Sequence, residues 1–280
     1  MSKVPSFFVI GCVKGGTVAI RDNLVANKHP EIYLPTKLIK EFIIIDQARK
    51  NGRTVEFYLD IKENRCGEMD FFCNDKLYEL GLDYYKAFFN TDKTLIGDIS
   101  PNYLYLDENP KTAERIKELV PNAKIVISLR DPITRAYSHW NHFLKEDFPK
   151  PKWTEGIIDD NADFYTTIRK NEGGRNIIRD RGLYYDNVIK WIEMFGRENV
   201  HFIQQEQMKR HTWKCLNNMV QFAGIKKSLN IKNILTRHSR SYDKPIDESS
   251  VEYLREFYRD DVNKLKELLP RFEFTLWNNY

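Results

Sequence analysis

The feature that most narrows the folds open to this chain is the passage Phe7-Phe8-Val9-Ile10-Gly11-Cys12-Val13-Lys14-Gly15-Gly16-Thr17, where a short apolar run breaks on glycine and gives way to a helical pattern. A strand that ends in a glycine turn and continues as a helix is the opening unit of a parallel sheet flanked by helices. Gly11, Gly15 and Gly16 permit a tight turn and close backbone approach. The amides that open the next helix are then aimed at an anion. Lys14 adds a movable positive charge and Thr17 a hydroxyl. The register is not that of a Walker A loop, in which lysine directly precedes the hydroxyl residue; here Lys14 stands three positions before Thr17.

A second segment repeats the logic. Lys124 to Leu129 reads as a buried strand and runs straight into Arg130-Asp131-Pro132-Ile133-Thr134-Arg135-Ala136-Tyr137-Ser138. Asp131 is a good N-cap and Pro132 a good first helical residue. Arg130 therefore sits at the carboxyl end of a strand and Ser138 two turns into the following helix, an arrangement in which both can grip one phosphate. These two segments resemble the paired nucleotide-binding motifs of sulfotransferases that use 3′-phosphoadenosine-5′-phosphosulfate, and the Lys-Gly-Gly-Thr form is similar to that of the heparan-sulfate glucosaminyl branch. The resemblance implies that Lys14, Gly15, Gly16, Thr17 and Val18 hold the 5′-phosphosulfate and that Arg130 and Ser138 hold the 3′-phosphate.

With 280 residues, the chain is read as one α/β domain spanning 1–280, a P-loop-like unit with a central parallel sheet flanked by helices. Strand candidates are Ser6 to Ile10, Thr94 to Ile99, Lys124 to Leu129 and Val200 to Gln204, separated by helical stretches. The first helix is expected to end near Asn27, before His29-Pro30. Further helices are expected over Asp75 to Phe89, Lys111 to Val120, Pro132 to Leu144, Tyr185 to Phe195 and Ser249 to Leu269, the last two from apolar residues at three- and four-residue spacing. Asp147 to Arg181 and Ile231 to Ile246, rich in polar residues and turn formers, are expected to be loop excursions over the site.

The 44 basic and 40 acidic residues leave a net charge of +4, which suits anionic ligands without demanding nucleic acid. No run of 18 apolar residues exists, so no membrane span is expected. Met1-Ser2-Lys3-Val4-Pro5 leads directly into the first strand, leaving no room for a signal peptide, so a cytoplasmic enzyme is expected. Cys12, Cys66, Cys73 and Cys215 lack zinc-ligand spacing, and no metal is expected. Cys66 and Cys73 could bridge locally, although free thiols suit a chain without export signals better. His139 and His142 are read as surface or core residues.

The resemblance extends in order along the chain. Gly97-Asp98-Ile99-Ser100-Pro101-Asn102-Tyr103-Leu104 is similar to a Gly-Glu-Lys-[Ser/Thr]-Pro-x-Tyr segment, with Ile99 in place of a lysine, and implies that Asp98 serves the acceptor side. Gly182-Leu183-Tyr184-Tyr185, Trp191, Phe195, the strand Val200 to Gln204 and Glu206 match a later helix and strand. The basic loop ending at Arg240 resembles one that closes over the nucleotide. For the catalytic base, the branch places a glutamate in a Lys-Glu-x-x-Phe-Phe segment soon after a His-Pro pair. Lys40-Glu41-Phe42 fits if two residues are inserted after His29-Pro30, while a gapless reading puts Leu38 there. Glu41 is preferred because a carboxylate beside the cradle has a task, and Lys40 joins the acceptor side.

The activity so implied is transfer of a sulfuryl group to a hydroxyl or amine of an acceptor, a glycan or a small molecule, with adenosine 3′,5′-bisphosphate as product. Lys14 would stabilise charge on the leaving oxygen and Glu41 would take the acceptor proton. Two rivals stand beside it. A P-loop small-molecule kinase would need lysine next to the loop hydroxyl, and a nucleotide- or glycan-binding module would have kept the fold and lost turnover. Oligomeric state is not readable from the sequence.

Overall fold

A computed structural model describes residues 4–27, 29–35, 68–144, 154–159, 161–226, 228–229, 234–235 and 244–280. Five parallel strands form the sheet: β1 (Phe7–Val9), β2 (Ile32–Tyr33), β3 (Leu95–Ile99), β4 (Lys124–Leu129) and β5 (Val200–Gln204), in the order β2-β3-β1-β4-β5. The three central strands are almost wholly buried because helices cover both faces, which is why they read as continuous apolar runs rather than alternating ones. Alternate residues serve opposite cores: Phe8, Ile125 and Ile127 pack on one side, Phe7, Val9 and Val126 on the other.

The helices are α1 (Thr17–Ala26), α2 (Asp75–Tyr78), α3 (Leu82–Ala87), α4 (Thr112–Leu119), α5 (Pro132–Phe143), α6 (Phe164–Arg169), α7 (Ile177–Asp180), α8 (Tyr185–Phe195), α9 (Gln205–Arg210), α10 (Thr212–Phe222) and α11 (Glu248–Leu268). The 21-residue α11 is capped by Asp247, whose Oδ1 accepts from the Ser250 amide at 2.8 Å. It buries Val251, Leu254, Tyr258, Val262 and Leu265 at helical spacing. Asp261 on its outer half accepts from the Tyr184 and Tyr185 amides, both at 2.9 Å, and so caps α8 from a neighbouring helix. Among the described residues no helix is long and apolar enough to cross a membrane.

Three expectations need correction. The single helix expected over Asp75 to Phe89 is two, because Gly81 at φ 86 breaks it between α2 and α3. The described part of Asp147 to Arg181 is not an open loop. Asp163 and Asn176 each cap a short helix, and Phe164, Thr167, Ile168, Ile177 and Ile178 are buried. Finally, β2 and the helices α9 and α10 were not anticipated. The two-residue edge strand is too short to show a period, and the polar start of α9, Gln205-Glu206-Gln207, masks its buried Met208.

Candidate active site

Strands β1 and β4 lie side by side at the middle of the sheet. From β1 the chain departs toward β2 and β3, and from β4 toward β5. That divergence opens a crevice outside their carboxyl ends, where open parallel sheets take their ligands. Both phosphate motifs issue from it. The ladder continues past β1, with the Ile10 amide donating to Val126 O at 2.9 Å and the Cys12 amide to Ser128 O at 2.7 Å. The glycine loop is thereby drawn hard against the end of β4, and Ser128 Oγ donates to Gly15 O at 2.6 Å. A Cβ on Gly11 would stand 2.5 Å from Ser128 Cβ and 2.6 Å from its nitrogen. On Gly15 a Cβ would meet Cys12 Sγ at 2.7 Å and Cys12 O at 2.8 Å.

Lys14 and Gly16 adopt left-handed conformations, φ 70 and 94. For lysine this costs about 1 kcal/mol or more. The loop pins it with two bonds: the Gly15 amide donates to Cys12 O at 2.8 Å, and Arg130 Nη1 to Lys14 O at 3.3 Å. Helix α1 follows with no side-chain cap and no acidic residue in its first turn. The amides of Gly16, Thr17, Val18 and Ala19 donate to no described residue. An uncapped ten-residue helix beginning on a loop of this shape presents a concentrated positive end suited to a phosphate. The Val13 amide, by contrast, is committed to Tyr105 OH at 3.1 Å.

Arg130 is held as rigidly. Its Nε donates to Thr134 Oγ1 at 3.0 Å, and its carbonyl accepts from Tyr184 OH at 2.9 Å. Asp131 caps α5, with Oδ1 accepting from the Ile133 and Thr134 amides at 2.9 and 3.0 Å, while its Oδ2 accepts from Asn279 Nδ2 at 2.8 Å. The Asp131 amide donates to Glu206 Oε1 at 3.0 Å. Burial pushes the carboxyls of Asp131 and Glu206 up and the Lys209 ammonium down. Ser138 lies on a buried face of α5 and its hydroxyl bonds no described residue.

The structure thus brings Lys14, Gly15, Gly16, Thr17, Val18, Arg130 and Ser138 to the carboxyl ends of two neighbouring strands. Asp98 sits elsewhere. It is fully buried, its Oδ2 accepts from Tyr85 OH at 2.9 Å and Tyr103 OH at 3.0 Å, and its Oδ1 accepts from Ser100 Oγ at 2.8 Å. A carboxylate so engaged ties β3 to α3 rather than offering itself to an acceptor. Lys40, Glu41, Arg240 and Cys66 lie outside the described residues, and Cys73 Sγ donates to Asp70 O at 3.5 Å. Both described flanks of the basic loop are tethered beside the crevice. Asn23 of α1 exchanges two bonds with the Leu235 backbone (3.0 and 2.8 Å), and Tyr137 OH, next to Ser138, donates to Lys244 O at 2.8 Å. Among the described residues no group of His, Cys, Asp and Glu could hold a metal ion.

A second carboxylate fits the same pattern as Glu41. Glu68-Met69-Asp70-Phe71-Phe72 spells Glu-x-x-Phe-Phe in full, with Gly67 in place of the lysine. The structure fastens this segment along the carboxyl end of β3. The Met69 and Asp70 amides donate to Ser100 Oγ (2.9 and 3.1 Å), the Phe71 amide donates to Tyr103 OH (3.0 Å), and the Ser100 amide donates to Val9 O at the end of β1 (3.0 Å). Glu68 is therefore carried to the same edge of the sheet as the glycine loop. The Phe71-Phe72 pair was the available signal.

Comparison with known proteins agrees with this geometry. The chain matches the sulfotransferase domain model over residues 5–279. It is 26% identical over 302 residues to a human bifunctional heparan sulfate N-deacetylase/N-sulfotransferase 3, covering 96% of this chain and 30% of that protein. It is 26% identical over 210 residues to a Caenorhabditis elegans bifunctional heparan sulfate N-deacetylase/N-sulfotransferase 1, covering 70% of this chain and 23% of the relative. The chain thus spans less than a third of the length of these curated relatives. A sulfotransferase from Alicyclobacillus acidocaldarius shares the fold, with a TM-score of 0.66, 24% identity and 99% coverage of both chains. A family match running nearly end to end, on a sheet whose central crevice carries both phosphate motifs, places this chain in the sulfotransferase domain family.

Proposed function

We propose that the protein transfers a sulfuryl group from 3′-phosphoadenosine-5′-phosphosulfate to a hydroxyl or amine of a carbohydrate acceptor, leaving adenosine 3′,5′-bisphosphate. The observation that carries this reading is the pairing of two anion-binding elements. The open end of α1 and Arg130 issue from adjacent strands and are joined by the Arg130 Nη1 to Lys14 O bond. A ligand with phosphates at both ends of a nucleoside uses both elements, whereas a single phosphate chain uses one. The close glycine approach at Gly11 and Gly15 and the free amides of Gly16 to Val18 fit such a ligand. The carbohydrate acceptor is carried over from the heparan sulfate N-deacetylase/N-sulfotransferase relatives.

When bound, the donor supplies an activated sulfuryl group on a phosphate leaving group. The chain supplies position and charge. Gly15, Gly16, Thr17 and Val18 orient the 5′ end, and Arg130 forks onto the 3′-phosphate together with Ser138, an interaction suited to its planar guanidinium. Lys14 neutralises the departing oxygen. Glu68, at the same edge of the sheet, takes the acceptor proton as general base. Asp98 acts indirectly, by fixing Ser100 and Tyr103, which hold the Glu68 segment. Arg240 and Lys40 complete the nucleotide and acceptor sides in the family resemblance.

Titration calorimetry with adenosine 3′,5′-bisphosphate and with Mg-ATP tests the donor reading, the first binding and the second not. Incubation with radiolabelled donor and a panel of glycans, phenols and amines tests the transfer; binding without transfer would leave a nucleotide-binding module. Glu68→Gln and Glu41→Gln, measured side by side, test the base. Loss of turnover confined to Glu41→Gln would overturn the assignment to Glu68.

A further inference from the structure

Arg135 is a buried cation beside the crevice that the mechanism above leaves unused. It lies in the first turns of α5, its side chain wholly enclosed. One terminal nitrogen, Nη2, donates to Ile178 O, and Nη1 lies 3.3 Å from His139 Nδ1, while Nε is buried and meets no acceptor. Because a guanidinium only donates, His139 accepts through Nδ1 and is neutral. Burial and the nearby Arg135, Arg181 and Lys14 charges hold it well below the usual histidine range.

No carboxylate among the described residues pairs with Arg135. The side chains whose charges act on it most are Tyr184, Tyr258, Tyr105 and Cys12. Burial raises the pKa of all four above their ordinary values, so each is neutral near pH 7. A full positive charge is therefore enclosed without an opposite one among the described residues, an arrangement unfavourable to the folded chain. Three of the four neighbours belong to the walls of the cradle. Cys12 is a loop residue, Tyr105 OH receives the Val13 amide, and Tyr184 OH donates to Arg130 O and lies 3.6 Å from Cys12 Sγ. Arg135, Ser138 and His139 also recur at i, i+3 and i+4, on one buried face of α5.

We infer that Arg135 is a positioning residue for the nucleotide: a guanidinium sealed behind the cradle wall whose counter-charge arrives with the bound polyanion. The inference rests on the donor reading above. It differs from the roles of Lys14 and Arg130 in acting through the wall rather than by contact. Enclosed charge is screened little by salt, so its share of nucleotide affinity persists at ionic strengths that weaken exposed contacts.

The test is calorimetric affinity for adenosine 3′,5′-bisphosphate in the wild type, Arg135→Met and Arg135→Lys, at low and high salt. Arg135→Met should lose at least about tenfold in affinity at both salt levels, and Arg135→Lys, which keeps the charge, should stay within about threefold. If Arg135→Met does not fold, Arg135→Gln takes its place. Wild-type affinity in the uncharged variant would overturn the inference, as would an equal loss in Arg135→Lys, which would mark Arg135 as packing. Failure of the wild type itself to bind would instead overturn the donor reading.

Discussion

Replacing Gly15 by alanine probes the cradle at its tightest point. The backbone there is not left-handed, so the cost is one of space alone. The added methyl would lie 2.7 Å from Cys12 Sγ, 2.8 Å from Cys12 O and 2.9 Å from Ser128 O, where ordinary contact begins at 3.4 Å. The loop must give by 0.5–0.7 Å, and two of the three obstacles are carbonyls already engaged, Ser128 O by the Cys12 amide of the ladder and Cys12 O by the Gly15 amide. Overpacking of this kind costs about 1–3 kcal/mol, roughly 2–5 °C in melting temperature at this chain length. The larger effect falls on function, since a misplacement of about 1 Å at a reacting centre costs on the order of 100-fold in rate. Thermal melting and adenosine 3′,5′-bisphosphate calorimetry on Gly15→Ala, alone and with Cys12→Ala, read both. Removing Cys12 Sγ clears only the 2.7 Å contact, so the double variant should stay impaired. Full recovery in the double variant, or an undisturbed single variant, would refute the account of the loop.

Three further outcomes are expected. Lys14→Ala should lower kcat by about 100- to 1000-fold, or about 2.7–4 kcal/mol of barrier; steady-state turnover within tenfold of wild type would remove Lys14 from the leaving-group role. Asp98→Ala strands three buried hydroxyls and should cost on the order of 3–5 kcal/mol in denaturant unfolding, and a stable variant with altered acceptor KM would return Asp98 to the acceptor side. Burial pushes Asp261 from 3.8 up to about 6, so the native carboxyl holds its proton more tightly than the unfolded one. Its contribution is full below pH 3.8 and is lost as pH rises through about 6, by up to about 3 kcal/mol. Asp261→Asn should flatten that part of the stability profile, and an unchanged slope in urea melts would show that Asp261 does not titrate there.

Local chemistry made the centre of the fold legible. Glycine spacing after Ile10 and the Asp131-Pro132 cap announced two strand-to-helix junctions, and the structure sets β1 beside β4 so that both junctions face one crevice. What stayed hidden depends on contacts far apart in sequence. Asp98 is engaged by Tyr103 and Tyr85, 5 and 13 residues away, a convergence that no periodicity in the sequence signals. Tyr105, Tyr184 and Asn279 act on the site from positions 54 to 148 residues from the segments they hold. Glu68 can be read from its own Glu-x-x-Phe-Phe pattern, whereas Glu41 rests on its nearness to His29-Pro30 and lies outside the described residues.

The strand order has a consequence for how the chain is made. Of the described strands the first made is the middle one of the finished sheet, and its neighbours arrive about a hundred residues later, with Leu95–Ile99 and Lys124–Leu129. Until then Gly11 and Gly15 have no wall to press against, and the nascent loop is a floppy, sticky edge. Such long-range closure is slow, so Phe7 to Ile10 stay exposed and open to mispairing until those neighbours are made.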